Sequence, residues 1–303
     1  MDESAISTEA LVKTYGRSRG LTGLDLRVER GEVYGFLGPN GAGKSTTIRL
    51  LLDLIRPTSG RVTVLGVDPR RDGVALRRRV GYLAGDFTVD GRQTARELLT
   101  YLGNLRGGVP APRITELADR LDLDLNRRIR ALSKGNRQKV GVIQAFMHTP
   151  ELLILDEPTS GLDPFLQQEF VAMVRQARTA GQTVFMSSHV MSEVQQTADR
   201  VGIIREGRLV TVERVEELRE RAVRHVEIHF ADPVAAGEFS ALPGVSEVTV
   251  TGSTLRCRLD GRADALVKAA AGHTVVSLLS EEPDLEELFF GYYAREEAPH
   301  VAA

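Results

Sequence analysis

Residues 38–46 read Gly38, Pro39, Asn40, Gly41, Ala42, Gly43, Lys44, Ser45 and Thr46. The spacing satisfies G-x-x-x-x-G-K-[ST], and phosphate chemistry explains it. Glycines let backbone N–H groups turn inward around phosphate oxygens. A helix beginning at Lys44 adds the partial positive charge of its N-terminus. Lys44 is long enough to reach β and γ phosphates, and the Ser45 hydroxyl is a ligand for Mg²⁺. A strand-like apolar run, Val33–Leu37, precedes the loop, which is the context such a loop requires. This pattern alone specifies a nucleoside triphosphate and no particular use of it.

Three further segments supply what a phosphate loop lacks. Residues 152–157, LLILDE, place Asp156 at the carboxyl end of a buried strand, where ligands sit in open α/β sheets. Asp156 is then positioned for a Mg²⁺ shell through water, and Glu157 for orienting or deprotonating an attacking water. His189, in the SSH run at 187–189, follows another apolar strand and can meet a γ-phosphate or that water. Residues 132–139, LSKGNRQK, precede an apolar helix from about Val140. Ser133 and Gly135 there make a second helix N-terminus with outward N–H groups, which reads equally as an ordinary N-cap.

The elements that must carry these residues follow from periodicity. Lys44–Ile55 has a helical pattern stopped near Pro57. Strands are expected at Glu151–Leu155, Thr183–Ser187 and Arg200–Ile204, with a hairpin turn at Glu206-Gly207. Strands alternating with helices indicate an α/β core on a parallel sheet. Residues 213–222 read as a charged linking helix within a 213–224 linker. Beyond it the order changes to βαββαβ: His225–Phe230, Pro233–Leu242, Val245–Val250, Thr254–Leu259, Ala263–Ala271 and His273–Leu279. That order indicates a small ferredoxin-like α+β unit. A terminal helix is expected over Asp284–Tyr293, after Pro283.

Composition sets outer bounds. Across 303 residues, 42% apolar and 26% charged is an ordinary globular balance. The longest apolar run is four residues, Leu152–Leu155, against about 20 for a membrane helix. The opening MDESAISTEA has no apolar h-region, and a lone Cys257 forms no internal disulfide, so a cytosolic chain is expected. Residues 1–212 carry a net +6 and residues 213–303 a net −8, as two units with different surfaces would. Arg77-Arg78-Arg79 is too short a cluster for a nucleic-acid footprint, and no nucleic-acid partner is expected.

Taken in order, GPNGAGKST, LSKGNRQK, LLILDEPTSGLD and SSH resemble the ATP-binding cassette (ABC) ATPases over residues 1–212. The resemblance implies a P-loop domain with a RecA-like core and a helical signature subdomain, with ATP and Mg²⁺ as ligands. The family signature LSGGQ reads here as Ser133, Lys134, Gly135 and Asn136, with Lys134 for a glycine and Asn136 for the glutamine. The resemblance further implies two cassettes joined head to tail around two ATP molecules. Glu157 would be the general base, His189 the γ-phosphate contact, Asp163 the aspartate crossing between subunits, and Tyr15 the ring stacked on adenine. The glutamine that the family usually places after Y-L-P is replaced by Gly85 in GYLAGDF, leaving Asp86 or a water to substitute.

Residues 281–293, EEPDLEELFFGYY, resemble the tail of drug-exporter cassettes such as those for daunorubicin, with Leu285, Leu288, Phe289 and Tyr292 on one helical face. The expected partners are therefore a separate polytopic membrane permease and a second copy of the chain or a paralogous cassette. The expected location is the cytoplasmic face of the cell membrane, and the tail domain would pack against the other cassette. The loop from Gly85 to Gly108 would receive the permease. Two other readings are a soluble ABC ATPase of translation or repair type, and a nucleotide-sensing module with weak hydrolysis. The single P-loop, and only 89 positions between Lys44 and Ser133, argue against the first. The presence of Glu157 and His189 argues against the second.

Overall fold

A computed structural model describes residues 4–16, 18–89, 91–221 and 223–281. The chain divides between Glu213 and Arg214 into two compact units.

The first unit opens with two long strands, β1 (Ser4–Tyr15) and β2 (Ser18–Glu29), followed by β3 (Val33–Leu37) and helix α1 (Lys44–Leu51). Then come β4 (Ser59–Val64), α2 (Gly73–Arg79), β5 (Val80–Leu83), α3 (Ala95–Leu105) and α4 (Ala111–Arg120). The unit continues with α5 (Lys134–Phe146), β6 (Leu152–Asp156), α6 (Pro164–Thr179), β7 (Thr183–Ser188), α7 (Met191–Thr197), β8 (Arg200–Arg205) and β9 (Arg208–Arg214). A six-stranded sheet runs β5-β6-β7-β3-β8-β9. Its pairs β5/β6, β6/β7, β3/β7 and β3/β8 are parallel. The β8–β9 turn is made at Glu206 and Gly207, both with positive φ, as a tight hairpin requires. A second, antiparallel sheet has the order β2-β1-β4.

Alternation along the central strands builds two cores. Leu153, Leu155, Val184, Met186 and Val33 point to one face, where α3 to α6 contribute Leu99, Leu117, Val140, Ile143 and Phe170. Leu152, Ile154, Phe185, Tyr34 and Phe36 point to the other, where α1 supplies Ile48 and Leu51 and the antiparallel sheet supplies Ile6, Leu11, Leu21 and Leu24. Each such side chain, fully buried, contributes about 1.5–3 kcal/mol. The strands are therefore pinned in register, and their carboxyl ends are fixed points for chemistry.

Helix α1 ends at Leu51, four residues before the position expected from periodicity. Asp53 adopts a left-handed φ of 55°, which breaks the ladder ahead of Pro57. Helix α5 begins at Lys134, six residues before its apolar stretch, because Ser133 caps it.

The second unit holds α8 (Val215–Arg221), β10 (Arg224–Phe230), α9 (Ala236–Ser240), β11 (Val245–Thr251), β12 (Thr254–Leu259), α10 (Asp264–Ala270) and β13 (Val275–Ser280). Its sheet order is β11-β12-β10-β13, and every neighbour is antiparallel. From β10 onward this is the ferredoxin-like arrangement. Val226, Ile228, Phe230, Leu255, Cys257 and Leu259 form its core with Phe239 of α9 and Leu266 of α10. The helix expected at Asp284–Tyr293 lies outside the described residues.

Candidate active site

The loop after β3 turns on glycines for identifiable reasons. Gly41 and Gly43 have φ of 82° and 115°, a region that penalises side chains. Gly38 lies against the backbone of β8, and a Cβ there would sit 2.4 Å from the Ile204 carbonyl oxygen. No side chain caps α1, and its first turn carries no acidic residue. Its leading N–H groups are thus left for an anion. Pro39, Asn40 and Gly41 are exposed at the crest of the loop, Ala42 and Gly43 are buried, and Ser45 and Thr46 are partly buried.

Lys44 is buried, and its ammonium has partners within the loop. Nζ donates to the Gly38 carbonyl at 2.6 Å and lies 3.3 Å from Glu157 Oε1. Glu157 follows β6 with a left-handed φ of 48°. That conformation costs about 1–2 kcal/mol. It is held by the Glu157 N–H, which donates to the Ser187 carbonyl at 3.1 Å. The turn brings the carboxylate to two partners: Lys44 Nζ at one oxygen and His189 Nδ1, 2.6 Å from the other. Asp156 is buried at the strand end and accepts from Ser187 Oγ at 2.5 Å.

Asp156, Glu157 and His189 share one cleft of 330 Å³, whose lining also includes Asn40, Ser45 and Asp86. Ser45, Asp86 and Asp156 are hard oxygen donors, and a hydroxyl with carboxylates is the donor set that Mg²⁺ takes. No cluster of three or more His, Cys, Asp or Glu ligands is preassembled among the described residues, so phosphate oxygens and water must complete such a shell. Tyr82 also lines the cleft, and burial, together with the nearby Asp156 charge, raises its phenol above the usual range.

Residues 133–136 do not line this cleft. Ser133 caps α5 by accepting from the Asn136 N–H at 3.2 Å, and Ser133 and Lys134 are exposed. Gly135 packs on the segment after Glu157: a Cβ there would meet the Gly161 carbonyl at 2.7 Å. Asp163 caps α6, accepting from the Phe165 and Leu166 N–H groups at 3.0 and 3.1 Å. Neither the Gly135–Gly161 contact nor the Lys44–Glu157 pair was anticipated from the sequence. The second had a signal, since a positive loop lysine and a strand-end carboxylate were both expected at one sheet edge.

A family profile described as "ABC transporter" matches residues 21–160. The bacitracin transport ATP-binding protein BcrA of Bacillus licheniformis is 37% identical over 230 residues, covering 75% of each chain. The daunorubicin resistance ATP-binding protein DrrA3 of Streptomyces coeruleorubidus is 36% identical over 303 residues, covering 95% of this chain and 96% of its own. The chain belongs to the ATP-binding cassette transporter family. A solved ATP-binding subunit of an ABC transporter aligns with a TM-score of 0.67 at 27% identity, over 71% of this chain and 92% of that one. A dimeric cassette in a post-hydrolysis state with ADP and Pi shares the fold, with a TM-score of 0.62 at 23% identity and coverage of 69% and 98%.

Within this ABC ATPase two positions stand apart. Gly85 abuts Asp156, and a Cβ would lie 3.3 Å from its carboxylate carbon, so a side chain at 85 would press on that acid. Asp86 is exposed beside it and lines the same cleft. Tyr15 stands at the end of β1, half exposed, with Lys13 Nζ 5.1 Å from the ring centroid. That ammonium holds one face of the ring through a cation–π contact.

Proposed function

We propose that this chain is the ATP-hydrolysing subunit of an exporter, driving a separate membrane permease that expels drugs or similar hydrophobic compounds. The relatives named for bacitracin transport and daunorubicin resistance support that cargo class. Residues 1–212 would form the nucleotide-binding domain, 213–224 the link and 225–303 the accessory domain. The site would work at the cytoplasmic face of the membrane. No helix among the described residues is long and apolar enough to cross it.

The observation that carries the reading is the single cleft joining Ser45, Asp156, Glu157 and His189 beside the loop of Lys44. Bound triphosphate would draw Lys44 from Glu157 onto its β and γ oxygens. Glu157 then keeps its charge beside the reacting centre and takes a proton from water. With Nδ1 engaged by Glu157, His189 has Nε2 left to face the γ-phosphate. Ser45, and Asp156 through water, would hold Mg²⁺, with Asp86 in place of the absent glutamine. When bound, the cation supplies charge neutralisation of the phosphate oxygens. Tyr15 would stack on adenine. Ser133, Lys134, Gly135 and Asn136 lie off this cleft, so they would close over the ATP of a second cassette, with Asp163 at the crossing. That arrangement needs a homodimer or a paralogous partner.

The test is capture of the Glu157→Gln form from detergent-solubilised membranes of its host with ATP and Mg²⁺. A polytopic protein in the eluate is the expected result. Recovery from the soluble fraction alone, without any such partner, would overturn the transport assignment.

A further inference from the structure

Helix α7 carries a carboxylate that the mechanism above does not use. Glu193 lies four residues after His189, is half-buried and does not line the cleft. Both of its oxygens are taken by hydroxyls from other segments. Thr159 Oγ1 donates to Oε1, and Ser188 Oγ, 2.9 Å away, donates to Oε2. The Val190 carbonyl is a second acceptor for the Ser188 proton at 3.2 Å, farther away and uncharged. Hydrogen bonds to a carboxylate are roughly twice as strong as neutral ones. Thr159 and Ser188 are buried, so removing the carboxylate would leave two buried hydroxyls short of an acceptor.

Those two hydroxyls mark the two turns that carry Glu157 and His189. Thr159 stands two residues after Glu157, in a turn closed by the Ser160 N–H on the Glu157 carbonyl at 3.2 Å. Ser188 stands one residue before His189, and its Oγ accepts from the Val190 N–H at 2.9 Å, so its side chain brackets His189. The turns leave the neighbouring strands β6 and β7, and each supplies one partner of the 2.6 Å contact between Glu157 and His189. The His189 side chain is 54% exposed, so its own packing does little to hold the ring. Helix α7 is firmly seated by contrast. Met191 and Val194 are buried, and Val194 packs on Gly35 of β3, where a Cβ would meet it at 2.1 Å. The Thr197 hydroxyl donates to the Glu193 carbonyl at 3.0 Å. Glu193 is thus a fixed point to which both turns are tied.

We propose that Glu193 is a positioning residue for ATP hydrolysis: its carboxylate ties the Thr159 turn to the Ser188 turn and so holds the His189 ring against Glu157. This rests on the reading of Glu157 as the base and His189 as the γ-phosphate contact. Glu193 lies off the cleft and acts through those two groups. Cutting the tie lets the two turns shift apart, while the Lys44 loop keeps its own contacts with Gly38. The loss is therefore read in turnover and not in ATP affinity.

The test introduces Glu193→Ala into the full-length chain in two backgrounds, wild type and Glu157→Gln. In the first, phosphate release at saturating ATP and Mg²⁺ should slow roughly tenfold or more, with affinity for a fluorescent ATP analogue within about twofold. In the second, the same change should slow the residual rate by no more than about twofold, because the contact it holds is already gone. Equal fractional losses in both backgrounds would show a general structural effect and overturn the proposal. So would a wild-type rate in Glu193→Ala. A Glu157→Gln protein that hydrolyses at the wild-type rate would instead overturn the reading of Glu157, and the proposal with it. Should Glu193→Ala fail to fold, Thr159→Val removes one of the two hydroxyls at nearly constant volume and Thr159→Ser keeps it. The valine form should lose turnover at unchanged affinity and the serine form should retain it. Valine and wild type turning over alike would overturn the proposal.

Discussion

Substituting Gly135→Ala separates nucleotide binding from hydrolysis. The added Cβ would lie 2.7 Å from the Gly161 carbonyl, about 0.7 Å inside ordinary contact, and both partners are backbone. Neither can rotate away, so the start of α5 and the 158–163 segment must part by that distance. Overpacking of this kind costs about 1–3 kcal/mol. For a unit of this size that is a melting shift of roughly 3–10 °C. The Lys44 loop lies elsewhere, so affinity for a fluorescent ATP analogue should stay within about twofold of wild type. Hydrolysis should fall about tenfold or more, because displacements of this order at a positioning contact lose large factors in rate. Both quantities come from one preparation, by equilibrium titration and by phosphate release. A variant that melts and hydrolyses like wild type would refute the claim that Gly135 rests on the Gly161 backbone. A variant that loses nucleotide affinity would refute the separation of the two sites.

Asp163→Ala should lose the cap of α6, about 1 kcal/mol, whereas Asp163→Asn should keep most of it; thermal melts of the pair check this. A hydrolysis defect in the Asn form without a stability loss would place the effect on the charge. His148 accepts from Arg106 Nη1 at 2.8 Å across Nε2, and burial with the Arg106 charge pushes its pKa down to about 4. The ring is neutral in the fold, so its contribution is complete above pH 6.5 and is lost as pH falls toward 4. The loss is roughly 1–2 kcal/mol once solvent screening is counted. Denaturant melts between pH 7 and 4.5 should show His148→Gln falling less than wild type by that amount, and parallel curves would count against it.

Legibility followed the range of the interaction. Local patterns placed Thr254–Leu259 and the Gly252-Ser253 turn correctly, because hairpin chemistry sits in adjacent residues. They also placed the strands that end at Asp156 and Ser188, because the uninterrupted apolar runs Leu152–Leu155 and Val184–Met186 need burial on both faces. The β2-β1-β4 sheet was not legible: Ile6 pairs with Val64 and Thr8 with Leu26, contacts that no local window contains. The stop of α1 at Leu51 escaped for a different reason. Residues 52–55 remain apolar enough to continue a helix, but the left-handed Asp53 turns the chain so that the Leu54 N–H donates back to the Arg49 carbonyl at 2.8 Å. At the site, residue types were readable and partners were not. Glu157 was expected at a strand end, but its left-handed turn and the Lys44 contact arise only once β6 and β3 lie in one sheet.

The account stands most directly on the rate of ATP hydrolysis by Glu157→Gln against wild type, at matched nucleotide occupancy. Glutamine keeps the size of the side chain and removes the base. The expected result is retained ATP binding with hydrolysis slowed by about 10²–10⁴-fold, the range for loss of a positioned general base. Equal rates in the two proteins would contradict the assignment of Glu157 and, with it, the mechanism built on this cleft.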